Sequence, residues 1–174
     1  VDCGMSFPDE DMPGIDIVIP DFTYVLENKD KIKGLVVTHG HEDHIGAIPY
    51  LLKNFNLPIY ATRLTIGLIE GKLKEHKLLG DAKLNVVKPG AIITLGKFII
   101  EFIHVNHSIP DAVGFAITSP AGTIIHTGDF KIDTTPEKIN IYAKTEAAAY
   151  YALLTLKDIL KQTSNCFYVE DYPD

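Results

Sequence analysis

Four residues with metal-binding side chains stand within six positions in the first third of the chain. His39 and His41 are separated by one glycine, and Asp43 and His44 follow directly. In an extended segment residues i and i+2 point to the same side, so His39 and His41 can hold one cation together. Asp43 and His44 point elsewhere and can hold a second cation beside it. Zinc (Zn2+) accepts both nitrogen and carboxylate oxygen, so the cluster predicts a zinc site.

Two further candidate ligands lie far along the chain, each just after an apolar run. His107 follows residues 102–105, and Asp129 follows residues 124–125. A carboxylate can bridge two cations and an imidazole cannot, which makes Asp129 the better candidate for a bridge. Taken singly, His107 could be a hydrogen-bonded turn residue, Asp129 a turn former and the cluster a solvated loop. The combination favours a metal centre.

Hydrophobic periodicity places these residues at the ends of strands. Residues 33–38 form a β-rich run that leads into the cluster, and apolar residues at helical spacing then predict one helix to about residue 56. The other predicted helices are 22–27, 64–79 and 141–162. The other predicted strands are 14–20 (or an extended loop), 58–61, 84–87, 91–95, 98–105, 114–118, 122–126 and 166–169.

The order of these elements predicts the fold class. Strands alternate with helices in the first part of the chain, and a β meander follows. We therefore expect an α/β sandwich with helices outside the sheets.

Composition narrows the class of protein. With 174 residues and 46% hydrophobic content the chain suits one globular domain. No run approaches the roughly 20 apolar residues that cross a bilayer, so we expect a cytoplasmic protein without membrane contact. The net charge of -7 argues against a protein that coats nucleic acid non-specifically. Cys3 and Cys166 are the only cysteines, which excludes a disulfide framework.

Beyond these local patterns, the order of the candidate ligands resembles a known family. His39-x-His41-x-Asp43-His44, followed by His107 and Asp129, is similar to the ligand motifs of the metallo-β-lactamase superfamily. Asp2 matches the acidic residue that ends that family's first conserved strand. Within the superfamily, the segments that resemble ribonuclease J are 2–8, 14–20 with Asp21, 105–112 and 126–131. The resemblance covers about residues 1–135 and implies a metallo-β-lactamase-type αββα sandwich, present in part.

The resemblance also implies an activity, which is that of a zinc-dependent ribonuclease of the β-CASP branch. Such an enzyme cuts RNA internally and degrades it from a 5′-monophosphorylated end. It implies one zinc on His39, His41 and His107, a second on Asp43 and His44, and a bridge by Asp129. Manganese or magnesium also suit these ligands.

The same resemblance assigns roles around the metals. Asp43 and Asp129 are the residues with catalytic roles, and Asp43 would also orient the water that the cations activate. Asp2 would support the ligand loop without binding metal itself. Ser108 is a candidate contact to a substrate phosphate, although a turn hydroxyl that bonds its own backbone is an equal alternative.

The family pattern breaks after about residue 135. Residues 136–174 form a predicted helical tail that does not resemble the family and contains no histidine. The β-CASP domain and the late histidine that completes the second zinc site therefore lack a counterpart. We predict a fragment that binds one zinc well, a second weakly, and shows weak or no activity on RNA.

Two functions of other classes stay open. A small-molecule metallo-hydrolase acting on a lactam, ester or thioester needs no β-CASP lid. The other is a non-catalytic metal-binding or interaction module, in which the tail caps the domain or forms a homo-oligomer.

Overall fold

The computed structural model describes residues 1–131. The helix predicted at 141–162, the strand predicted at 166–169, Cys166 and the rest of the predicted tail lie outside the described residues. Within residues 1–131, no helix is long and apolar enough to cross a membrane.

The first sheet consists of three short parallel strands in the order β1 (Leu35–Val36), β2 (Ile59–Ala61) and β3 (Leu84–Val86). Parallel neighbours need crossover connections, and helices supply them. α2 (Glu42–Ile45) and α3 (Ile48–Leu52) connect β1 to β2, and α4 (Arg63–Glu75) connects β2 to β3. A short helix α1 (Thr23–Glu27) precedes the sheet, and single 3-10 turns occur at Lys29–Lys31 and Leu79–Asp81.

The second sheet is an antiparallel meander of four strands in sequence order. These are β4 (Ile92–Leu95), β5 (Phe98–His104), β6 (Val113–Ser119) and β7 (Gly122–His126). Phe102 pairs with Phe115 across β5 and β6, and their buried rings meet edge to face with centroids 5.0 Å apart. Four of the five strands predicted for the β meander form it, with boundaries within two residues. The first, predicted at 84–87, instead joins the parallel sheet as β3.

Alternation along the first strand shows how the layers pack. Leu35 and Val37 join the apolar core under the helices, which includes Ile45, Ile59 and Ile69. Val36 points the other way, into a second core with Phe102, Phe115 and Val113 from the second sheet. Successive residues of a strand face opposite sides, so the first sheet lies between helices and the second sheet. The α/β sandwich is confirmed, and the described residues form its helix, sheet and sheet layers.

The helix predicted from the cluster to residue 56 is wrong in its continuity. The structure breaks it between α2 and α3 because Pro49 has no N–H to continue the helical ladder. The Ala47 N–H instead donates to the Cys3 carbonyl at 3.0 Å, which ties the N-terminal segment to the break.

The sequence left residues 14–20 as a strand or an extended loop, and the structure shows a loop with a single antiparallel bridge between Ser6 and Val18. A left-handed Gly14 begins this segment and Pro20 ends it. The helix predicted at 64–79 ends at Glu75 because Lys77 adopts a φ of 58° and the Leu78 N–H returns to the Leu73 carbonyl at 2.8 Å, as in a Schellman cap.

Candidate metal centre

Strand direction brings the predicted ligands to one edge of the sandwich. β5 and β7 both pair antiparallel with β6, so they run the same way and their C-terminal ends lie at the same edge. His107 and Asp129 follow those ends. β1 delivers His39 to the same place, because the Val113 N–H at the start of β6 donates to the Thr38 carbonyl at 3.0 Å.

Three imidazoles converge in a first group. His39 Nε2 lies 3.0 Å from His41 Nδ1, and His107 Nε2 lies 3.3 Å from the same nitrogen. Two nitrogens bound to one tetrahedral zinc at ordinary Zn–N lengths are about 3.4 Å apart. His39 is fully buried and the other two are partly buried. The spacing and chemistry of this group fit one cation.

A second group combines His39, His44 and Asp129. His44 Nε2 lies 3.5 Å from Asp129 Oδ2, and the same oxygen lies 3.8 Å from His107 Nε2. Asp129 therefore stands between the two groups. His39 can serve only one of them at a time, because its Nδ1 is engaged by the Thr38 hydroxyl.

Asp43 is the predicted ligand that the structure brings least into the centre. Its Oδ2 lies 3.6 Å from His44 Nε2, but the side chain is 68% exposed and belongs to neither group. The second group is thus less complete than the first.

A largely buried hydrogen-bond network sets which ring nitrogens face the centre. Asp2 Oδ2 lies 2.8 Å from His44 Nδ1 and accepts from the Thr38 hydroxyl at 2.9 Å, while Asp2 Oδ1 accepts from the Thr38 N–H at 2.8 Å. The Thr38 oxygen lies 3.0 Å from His39 Nδ1. With its own proton on Asp2, Thr38 accepts from His39. Both histidines then carry their proton on Nδ1 and leave Nε2 free for a metal.

The sequence pointed to Asp2 as a supporting residue and missed Thr38. The available signal was that Thr38 is the polar end of an otherwise apolar run, directly before His39. Thr38 is fully buried, so its hydroxyl needs partners, and Asp2 and His39 provide them.

Local charges and burial shift the pKa values of three histidines in the metal-free chain. Burial, reinforced by the neighbouring histidines, lowers the pKa of His39 to about 4. Burial also lowers the pKa of His107, against the opposing charge of Asp129. Burial acts in the same sense on His44, but the hydrogen bond and charge of Asp2, with the charges of Asp43 and Asp129, together raise its pKa. His39 and His107 are therefore kept in the neutral form that binds metal.

The loops around the centre place the remaining candidate. Ser108 follows His107 and is solvent-exposed. His107 Nδ1 is buried and has no hydrogen-bond partner among the described residues. Gly128, with a φ of 59°, lets the chain before Asp129 pass close to β6 and Thr38, since a Cβ there would lie 2.9 Å from the Val113 carbonyl.

The chain matches a protein family and is similar to several known proteins. Residues 1–159 match the model of the metallo-beta-lactamase superfamily. The chain is 54% identical over 137 residues to ribonuclease J of Helicobacter pylori, which covers 78% of this chain and 20% of that protein. It is 46% identical over 168 residues to ribonuclease J of Thermus thermophilus, covering 91% of this chain and 29% of that protein. The chain thus spans less than a third of the length of these relatives.

Solved structures agree at the level of fold. The metallo-beta-lactamase fold protein YhfI from Bacillus subtilis superposes with a TM-score of 0.52 at 19% identity, covering 77% of this chain and 62% of that one. The αββα layer order expected from the sequence is consistent with this likeness.

Proposed function

The chain belongs to the metallo-β-lactamase superfamily, and from that premise we propose that it carries the metal centre of a metal-dependent ribonuclease resembling ribonuclease J. The observation that supports this most directly is the convergence of His39, His41 and His107, with Asp129 beside them. The high identity to ribonuclease J supports RNA as the substrate.

Zinc is the metal that the first group favours, because it offers three imidazole nitrogens at the mutual spacing of tetrahedral ligands. The second group mixes imidazole with carboxylate, a donor set that manganese or magnesium also accept. We propose one tightly held cation and a second, weaker one, since Asp43 stands outside both groups. Bound cations of this kind supply an activated water and neutralise charge on a reacting phosphate.

The residues of the chain have distinct proposed roles. Asp129 spans the two groups and is 47% exposed, so it can hold both metals while facing the substrate. Asp43, more exposed still, orients the attacking water and accepts its proton. Ser108 contacts a phosphate oxygen from beside His107. With a net charge of -7, the chain is not suited to coat RNA non-specifically, so we propose that the metal centre provides its main contact to the phosphates.

Metal content and RNA cleavage test this proposal together. The chain is loaded with zinc or manganese, its metal content is measured by elemental analysis, and it is incubated with 5′-monophosphorylated RNA. Nitrocefin and a lactoylglutathione-type thioester are run in parallel. We expect about one tightly bound zinc per chain and slow, metal-dependent RNA cleavage, because the second group is incomplete.

Matched variants separate the outcomes. His41→Ala removes the nitrogen that the other two imidazoles face, and it should abolish both zinc binding and RNA cleavage. His76→Ala, which removes a histidine packed against Tyr50, should change neither. RNA cleavage that survives His41→Ala would contradict the proposal. Hydrolysis of only the lactam or thioester would point to a small-molecule hydrolase, and bound zinc without any turnover to a binding module.

A further inference from the structure

Helix α4 touches both loops that carry the candidate ligands, although none of its residues belongs to the metal groups. The helix runs for 13 residues from Arg63 to Glu75. One ligand loop contains residues 39–44, and the other contains residues 105–112. Contacts of α4 with the two loops occur at three levels along the helix.

The first contact is an ion pair to the cluster. Lys72 Nζ donates to Glu42 Oε2 at 2.6 Å, and the lysine side chain is 24% exposed. Glu42 lies between the candidate ligands His41 and Asp43. The Glu42 carbonyl accepts from the N–H groups of Met5 and Gly46. The ion pair to Lys72 therefore adds a side-chain contact at a residue whose backbone is also hydrogen-bonded.

The second contact is a hydrogen bond to the other loop. Thr62, at the N-cap of α4, is fully buried and makes no side-chain cap to its helix. Its hydroxyl instead donates to the Asp111 carbonyl at 2.9 Å, while the Thr65 hydroxyl lies 3.1 Å from it. Asp111 has a φ of 61°, which few side chains adopt, so the loop after His107 turns sharply at the residue that Thr62 holds.

The third contact is apolar and lies between the other two. A Cβ on Gly40 would lie 2.3 Å from Leu68 Cδ1 and 3.6 Å from Ile109 Cδ1. Leu68 therefore packs directly on the backbone between His39 and His41, with Ile109 of the second loop beside it.

We propose that α4 is a brace that sets the distance between the two ligand loops, and that Lys72 and Thr62 are positioning residues for metal binding. Lys72 holds the loop of His39 and His41 through Glu42, and Thr62 holds the loop of His107 through Asp111. The nitrogens of the first group come from both loops, so their spacing depends on this brace. The inference rests on the proposed metal centre but not on the identity of the substrate.

The sign of the effect distinguishes positioning from simple electrostatics. Lys72→Met removes a positive charge near the candidate ligands and leaves Glu42 unpaired, which by charge alone would strengthen the binding of a cation. If Lys72 positions the loop, zinc affinity should instead fall, by roughly 10-fold as for other residues that orient ligands. Lys74→Met is the matched control, because Lys74 is an exposed lysine on the same helix.

Zinc affinity is measured by competition with a chelating dye, and urea unfolding of the metal-free chain is measured alongside it. We expect weaker zinc binding in Lys72→Met and in Thr62→Val, wild-type binding in Lys74→Met and Thr62→Ser, and recovery in the charge-swapped Glu42→Lys with Lys72→Glu. Unchanged or stronger binding in both Lys72→Met and Thr62→Val would overturn the proposal, as would a loss fully matched by unfolding of the metal-free chain. A wild-type chain that binds no zinc would refute the metal centre itself, a result that differs from either.

Discussion

Replacing Thr38 by valine tests the hydrogen-bond network behind the proposed metal centre most directly. Valine has nearly the same shape as threonine, so the change removes the hydroxyl and leaves the packing of this fully buried residue intact. Three contacts disappear with the hydroxyl, one to Asp2 at 2.9 Å, one to His39 Nδ1 at 3.0 Å and a longer one to His44 Nδ1 at 3.3 Å. Asp2 keeps its bonds to the Thr38 N–H and to His44.

The cost falls mainly on His39. Its Nδ1 proton is left buried without an acceptor, which costs about 1–3 kcal/mol in stability. The ring can avoid this by moving its proton to Nε2, but that nitrogen is the one that faces His41 and a metal. We therefore expect the free energy of unfolding of the metal-free Thr38→Val chain, measured with urea, to be about 2 kcal/mol lower than that of the wild type. We also expect its zinc affinity to fall by roughly 10- to 100-fold.

Calorimetric titration with zinc and urea unfolding of the metal-free chain measure the two effects. Thr38→Ser keeps the hydroxyl and serves as the control, with zinc affinity close to that of the wild type. If Thr38→Val binds zinc as tightly as Thr38→Ser, the hydroxyl does not select the tautomer of His39, and the reasoning fails.

Two further predictions concern close packing and pH. Gly4→Ala places a Cβ 1.6 Å from the Asp43 carbonyl oxygen, so the ligand loop must shift. We expect the free energy of unfolding in urea to fall by about 3 kcal/mol and zinc binding to weaken. The control Gly67→Ala, on α4 with open space around it, should be neutral or stabilising, and equal effects would contradict the close approach. Between pH 6.5 and about 4, the unfolded metal-free chain binds a proton at His39 that the folded chain does not bind. The free energy of unfolding should therefore decrease as the pH is lowered through this range, by up to roughly 3 kcal/mol. His44 acts in the opposite sense, since its raised pKa stabilises the folded state at pH values below the pKa of the unfolded chain. Unfolding of His39→Gln as a function of pH isolates the His39 contribution. The same dependence of stability on pH in His39→Gln and the wild type would contradict this prediction.

Much of the architecture could be predicted because it depends on local pattern. Alternating and continuous apolar runs gave the five strands from β3 to β7, and helical spacing gave α4. The prediction failed where a distant contact intervened. The helix after the cluster breaks because Ala47 bonds to Cys3 and Pro49 cannot continue the ladder, and only the second of these causes is visible locally.

The residue types and order of the proposed ligands could be predicted from the sequence, because His39, His41, Asp43 and His44 are neighbours whose spacing already limits where they point. The sequence alone does not predict which ring nitrogens face the centre. That depends on Asp2, which lies 36 positions from Thr38 and 42 from His44. The same holds for the brace, whose polar contacts join residues 30 and 49 positions apart. Such contacts exist only once the two sheets and α4 have packed, because packing brings distant residues together and burial leaves the Thr38 and Thr62 hydroxyls to be satisfied by protein partners.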